Sequence, residues 1–494
     1  MYLLRYYLES LQDLRVRAGL TVVDLKNLLK IILRDMIIVL LPTVTITTYA
    51  LYVGVIELGT TIILLSTSFF TALIIPHLKY ILVVRSRNKT LEREIVYFII
   101  SESITYSRST ELVNDLCGLD GWEGVFPTLV NEGLRLRVYR KFLTTIEAIN
   151  FYIRYTSSSF ISKILSDYVL AYSKGIINAW FTHTSSELLR KLRSEVSALM
   201  KLRTTVVLMM GVVVSYLPML TFSLSVITGG GELTNVLVVV PVLMILSILI
   251  LPSNTQHLRM YNTSTLEGKL ITTSSYVLIF LTAISTYLSL ENISYLIKVT
   301  ATVSLINGIL NLVKFYNIIS EVRELPKVLY MYAETPYILV NPLNALKEVL
   351  SNCKSRSLRE LGKKLSLSNV KEGTSTLRSW LSRYVYYVII KSLTTGSLGK
   401  EQLLNLRVLT LDMLEDFKQY LISVLPLIMM SLLMPFFMVS MTSLANVNIS
   451  NFIFYIYVIV VTYSLYVDYI IFNTFNSTLI TGITLLTLSI SWCY

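Results

Sequence analysis

The chain has 494 residues, of which 54% are hydrophobic and only 15% charged, with a mean hydropathy of +0.63. A soluble domain carries about 25% charged residues, so this composition excludes a string of soluble domains and describes a polytopic membrane protein. The net charge of +12 then reads first as a topology signal rather than as a nucleic-acid surface.

Taken in chain order, residues 1–34 contain no short apolar run ending in a small-residue cleavage site, so no signal peptide is expected there. They read as an amphipathic helix at the cytoplasmic membrane face, broken near Gly19. A bilayer core needs about 20 apolar residues per helix. Stretches that meet this lie at 36–53, 61–81, 206–227, 233–251, 270–290, 295–313, 421–444, 452–472 and 475–492. The expectation is thus about nine transmembrane helices, grouped at 36–81, 206–251, 270–313 and 421–492. Two charged blocks separate the groups, at 85–203 and 314–418.

Charge sets the orientation. Residues 1–34 hold six Lys and Arg, residues 85–203 seventeen and residues 314–418 sixteen, out of 43 in the chain. The short loops at 54–60, 228–232 and 291–294 carry one glutamate each and no base. Basic segments stay on the cytoplasmic side, so the N-terminus and both blocks are expected inside, and an odd span count places the C-terminus outside.

The blocks read as helical. Leu134, Val138, Phe142, Ile146 and Ile149 recur at helical spacing, as do Leu377, Leu381, Tyr384 and Val388. Each block ends in an amphipathic helix that runs into a span. Leu188, Leu192, Val196 and Leu199 are the expected buried stripe in the first, and Leu404, Val408, Leu411 and Leu414 in the second. The fold class expected is all-α, with two cytoplasmic helical bundles in a duplicated arrangement of two spans, a block and two spans.

Catalytic chemistry finds little support. The three cysteines (Cys117, Cys353, Cys493) and three histidines (His77, His183, His257) are scattered. No phosphate-binding loop, zinc motif or nucleophile elbow occurs, so neither an enzyme nor a cofactor or metal is expected. Ser397 and Lys400 match S-x-x-K without its partner motifs.

Glu94-Ile-Val opens the first block and Glu324-Leu-Pro the second, and each block leads into a span that contains proline. In this duplicated layout the chain resembles the type II secretion system F-domain family, and within it the archaeal membrane platform proteins of archaella and type IV pili. The likeness covers most of the chain, from the second span to Leu444, and rests on architecture more than on fixed motifs. The resemblance implies a non-enzymatic assembly core in the cell membrane. It would contact a hexameric secretion ATPase from the cytoplasm and pass its motion to pilin or archaellin subunits, with a homodimer or homotrimer on the motor axis. The rival reading is a multi-pass transporter or permease subunit with a separate ATPase.

Two basic clusters are candidates for docking that ATPase: Arg135, Arg137, Arg140 and Lys141, and Arg356, Arg359, Lys363 and Lys364. The plainer alternative is a solvated face that sets topology, and a third is binding to membrane lipids through anionic headgroups. Nucleic acid is not expected, because no aromatic–basic alternation of the stacking kind is present. Pro218, Pro426 and Pro435 are helix-kink candidates. Asp468, near the cytoplasmic end of the eighth span, is expected to sit close to water, although an acid inside a span is a functional suspect.

Overall fold

Four helices are about twice the length a bilayer requires. In the computed structural model they are α2 (Leu58–Thr105), α7 (Ile177–Thr228), α9 (Ile293–Glu334) and α14 (Lys400–Leu444). Each has an apolar half and a charged half with no break between them. The structure describes residues 2–17, 27–30, 32–34, 36–37, 44, 58–105, 112–156, 158–228, 248, 266–288, 293–334, 341–365, 373–395, 400–444, 452–472, 474 and 476–491. Among these there is no strand, and six helices are long and apolar enough to cross a membrane. The protein is an all-α polytopic membrane protein.

Those six are α2, α7, α8 (Leu266–Tyr287), α9, α14 and α15 (Ile453–Phe472). The expected spans at 36–53 and 233–251 lie outside the described residues, apart from positions 36, 37, 44 and 248. At the expected ninth span stands α16 (Leu479–Ser491), whose 13 residues extend about 20 Å, short of a full bilayer core.

The chain divides into two units, Met1–Ser185 and Ser186–Tyr494. In the first, the charged half of α2 is the centre of a helical bundle, with Tyr97, Phe98, Ile99 and Ile100 fully buried. Around it stand α3 (Leu112–Cys117), α4 (Pro127–Arg140), α5 (Thr145–Tyr155) and α6 (Ser159–Ser173). Phe126 meets Phe98 edge-on, and Tyr168 of α6 packs on Trp180 and Phe181. Local chemistry sets the boundaries. Pro127 starts α4 where a missing N–H costs nothing, and Thr144 and Glu147 form a capping box that starts α5. Gly175, at φ +70°, turns the chain out of α6.

The N-terminal helix α1 (Tyr2–Arg17) packs on the middle of α2. Its Leu8 and Leu11 join Leu28, Ile32 and Tyr80 in a small core, and Arg15 donates to the Tyr80 hydroxyl at 3.1 Å.

In the second unit, α15 is buried along about two thirds of its apolar stretch and is packed by α8, α14 and α16. Outward faces stay apolar. Val277, Phe280, Leu281 and Ile284 of α8, and Ile422, Leu425, Met429 and Leu433 of α14, are 40–67% exposed. Such faces suit acyl chains rather than water. The second helical block follows α9 as α10 (Pro342–Ser351), α11 (Arg356–Lys364), α12 (Gly373–Thr376) and α13 (Trp380–Thr395). Leu377, Leu381, Tyr384 and Val388 are all buried, and so is every residue from Trp380 to Ile390, so α13 is enclosed on all sides over that stretch.

Two stripes differ from expectation. In α14 the buried residues are Leu403, Leu406, Leu409, Met413 and Phe417, while Val408 and Leu411 are exposed. Both faces of this helix are apolar, so periodicity leaves its phase open. In the first block, Leu134, Val138 and Phe142 face outward, and the chain turns at 141–144 instead of continuing as one helix.

Candidate functional site

The charged segments are held in place by carboxyl groups of the long helices, aimed at helix N-termini. The first N–H groups of an α-helix have no intrahelical partner and carry the positive end of its dipole, so a carboxylate suits them. The residue before α4, Phe126, offers no cap. Instead Glu94 of α2, 1% exposed, accepts from Thr128 N at 2.9 Å and Leu129 N at 2.6 Å. Ser355, before α11, makes no side-chain cap either, and Glu324 of α9 accepts from Lys354 N at 2.8 Å and Ser355 N at 3.3 Å. Glu321, one turn earlier, accepts from Ser357 Oγ at 2.6 Å and Ser379 N at 3.1 Å, which ties α9 to the starts of α11 and α13.

Other features recur beside these pegs. Cys117 ends α3 and Cys353 follows α10, both buried with free thiols. Gly133 of α4 lies against the Leu116 carbonyl, and Gly362 of α11 against Leu350 and Ser351. A side chain at either glycine would push the helix pair apart.

The two basic clusters are differently engaged. In the first, Arg135 pairs with Glu132 at 3.3 Å, Arg137 with Asp120 at 2.7 Å, and Arg140 with the Asn114 side chain. Only Lys141 stands exposed with no ion pair among the described residues. In the second, Arg356, Arg359, Lys363 and Lys364 are all exposed, at spacings that place them along one side of α11. Arg356 pairs with Glu360 at 2.8 Å, and Leu358 and Leu361 anchor the opposite side. The second cluster is therefore an open basic face, whereas the first is largely tied into its own bundle.

The proline candidates sit within continuous helix. α14 remains α-helical through Pro426 and Pro435, position 218 falls inside α7, and Pro76 and Pro326 lie within α2 and α9.

Asp468 is 1% exposed and lies among protein groups, not near water as expected. Its carboxyl accepts from Ile480 N and Thr481 N, each at 3.0 Å, and from Thr481 Oγ1 at 2.9 Å, so it caps α16. A turn between two apolar helices brings the acid onto a helix start twelve residues later, which span-by-span reading does not reveal. Beside it, Asn307 of α9 donates to Asn476 O at 2.9 Å and Thr478 Oγ1 at 3.0 Å, and Asn311 donates to Asn476 O at 2.7 Å. These asparagines were not singled out above. Two amides at i and i+4 in an apolar span would have signalled a buried polar contact.

Among the described residues, no group of three or more His, Cys, Asp or Glu side chains is placed to hold a metal ion. No family model, curated protein or solved structure matches this chain.

The thiols have a testable chemistry. Burial pushes the Cys117 thiol up, against the opposing effect of Arg140 and Arg137. Burial, and then the Glu324 carboxylate, push Cys353 up to about 12. Only the thiolate reacts, so at pH 8 Cys353 is expected to alkylate about a thousandfold more slowly than a free thiol. Mass spectrometry of iodoacetamide-treated protein checks this. Complete labelling of Cys353 in the folded protein, at the rate seen after denaturation, would refute it.

Proposed function

We propose that this chain is the membrane platform of an archaellum or type IV pilus assembly machine. In this reading it lies in the cell membrane with its N-terminus and both charged blocks in the cytoplasm. It couples a hexameric secretion ATPase to the extraction and assembly of pilin-like subunits. The observation that carries the proposal is the set of four helices of 48, 52, 42 and 45 residues, each running unbroken from an apolar half into a charged half. An unbroken helix transmits displacement along its axis, so movement imposed on a charged half is delivered to its apolar half. A catalyst or channel has no evident need for four such levers.

The two blocks are read as copies of one unit. The matching Glu94 and Glu324 pegs, the Cys117 and Cys353 positions, and the Gly133 and Gly362 contacts support this. ATPase docking is assigned to the open face of α11, namely Arg356, Arg359, Lys363 and Lys364. The partners of Arg135, Arg137 and Arg140 within their own bundle leave that cluster less available.

Reversing Arg359, Lys363 and Lys364 to Glu tests the assignment. Complementary charge steers association, and like charge costs several kcal/mol. The expected result is about tenfold less ATPase co-purified from membranes, a deficit that changes with salt, and loss of filaments at normal membrane levels of the protein. Wild-type ATPase recovery and filaments would remove α11 as the docking face. Solute uptake by vesicles holding this chain, with no ATPase–pilin association, would favour the transporter reading.

A further inference from the structure

The apolar stripe on α4 faces outward and ends in a bare aromatic ring. Leu134 is 41% exposed, Val138 53% and Phe142 83%. Single exposed apolar residues are ordinary, but a stripe at four-residue spacing on an otherwise well-packed bundle calls for an occupant. Arg135 and Arg137 are paired with Glu132 and Asp120, and the exposed Lys141 supplies positive charge next to Phe142. Residues 134–144 contain four Lys and Arg and no acid.

Contacts within the same unit show where the stripe leads. Glu94 of α2 holds the first N–H groups of α4, while Arg87, seven residues closer to the apolar half of α2, pairs with Glu132 further along α4. Helix α4 therefore runs antiparallel to α2, back toward its apolar segment. Helix α5 returns alongside: the Tyr152 side chain interacts with Glu132, and Ser158, just beyond α5, donates to Glu92 at 2.7 Å. Both ends of the α4–α5 hairpin are thus pinned at the level of Glu92 and Glu94, and its tip at 141–144 lies at the opposite end.

Axial distances place that tip. Leu129 and Arg140, the last residue of α4, are separated by eleven residues, about 16 Å of helix, and Glu94 and Arg85 by nine, about 14 Å. Even with a tilt of about 30°, the tip reaches the level of Arg85. There α2 changes from charged to apolar, and its exposed apolar side chains begin with Val83, Leu82 and Ile81. Tyr80, bonded to Arg15 of α1, stands close to the same level, and an aromatic–basic pair is typical of a membrane interface.

We infer that the α4–α5 tip is a peripheral contact with the anionic lipid surface of the bilayer that α2 enters. Phe142 sits at the boundary between headgroups and acyl chains, Val138 and Leu134 follow it along the shallow side, and Lys141 faces the phosphates. An apolar ring and an adjacent cation are the two features that an anionic lipid interface attracts. The contact would hold the first bundle at a fixed height against the membrane. It requires only that α2 crosses a bilayer and does not depend on the platform reading.

The test uses the full chain reconstituted in vesicles. Phe142→Cys, in a Cys493→Ser background, is labelled with an environment-sensitive fluorophore, and Cys117 and Cys353 remain buried. Glu123→Cys, exposed at the pinned end, is the control. With about 30% phosphatidylglycerol, a shallow nitroxide lipid is expected to quench the label at 142 at least threefold more than the label at 123, roughly as one charge-assisted interfacial contact predicts. Lys141→Glu, or vesicles of phosphatidylcholine alone, should remove most of that difference. Equal quenching at 142 and 123 in anionic vesicles would overturn the inference. So would quenching independent of lipid charge. A label at 142 that is shielded from water yet untouched by the nitroxide lipid would mark a protein contact and overturn it as well.

Discussion

Replacing Gly308 with valine is expected to detach α16 from α9 and destabilise the second unit by about 3 kcal/mol. A Cβ at Gly308 would fall on the Leu479 backbone, with Leu479 N at 2.7 Å. The packing is reciprocal, because a Cβ at Gly482 of α16 would meet Leu305 N at 2.6 Å. Backbone cannot rotate away as a side chain can, so the helices must separate. Between apolar helices in lipid, close packing supplies much of the association, and small residues permit that approach. The separation would also stretch the bonds from Asn307 and Asn311 to Asn476 O. Hydrogen exchange of residues 479–491 in detergent or nanodiscs checks the prediction, with Gly211→Ala as a milder comparison because the nearest atoms to its Cβ would be those of the flexible Leu427 side chain. Unchanged exchange in Gly308→Val would show that the pair has room to adjust.

Asp468→Ala is expected to fray the start of α16 by about 2–4 kcal/mol. The substitution removes the acceptor of Ile480 N, Thr481 N and Thr481 Oγ1 at a site closed to water. A donor left unmet there keeps its full desolvation cost. Asp468→Asn retains one acceptor oxygen and should lose about half as much. Amide exchange at 480 and 481 should accelerate by about thirtyfold to a thousandfold in the alanine variant, while the interior of α15 stays slow. If exchange at both amides is unchanged, other acceptors serve α16 and the cap has no energetic role.

Both effects belong to α16, the element that sequence reading described least well. The stretch at 475–492 was expected to be a ninth span, yet its described helix has 13 residues and is built into the bundle by two glycine contacts, two asparagines and one acid. Its apolar composition is legible along the chain. Its partners lie on α9 and α15 and are not.

The candidate docking face shows a similar division. Eight basic residues stood out by clustering alone, four in each block. Their availability depended on neighbours: Asp120, Asn114 and Glu132 engage the first cluster, whereas in the second, among the described residues, only Arg356 forms an ion pair, with Glu360 on its own helix. Charge density is a property of the chain, but pairing arises when distant segments meet.

Membrane class, all-helical architecture and the charged blocks were legible in the sequence alone, because composition and 3.6-residue spacing act within one segment. Only tertiary structure decided that α14 buries Leu403, Leu406 and Met413 rather than Leu404, Val408 and Leu411, since a helix segment with leucines on both sides does not announce which side meets protein and which meets solvent. It alone turned Leu134, Val138 and Phe142 outward, by breaking the helix at 141–144. It alone also brought Glu94 to an N-terminus thirty-five residues away and Asp468 to one twelve residues away. The physical reason is common to these cases. A helix can specify its own hydrogen bonds and apolar faces locally, but its first N–H groups and its choice of buried face are satisfied by whichever neighbour packing delivers.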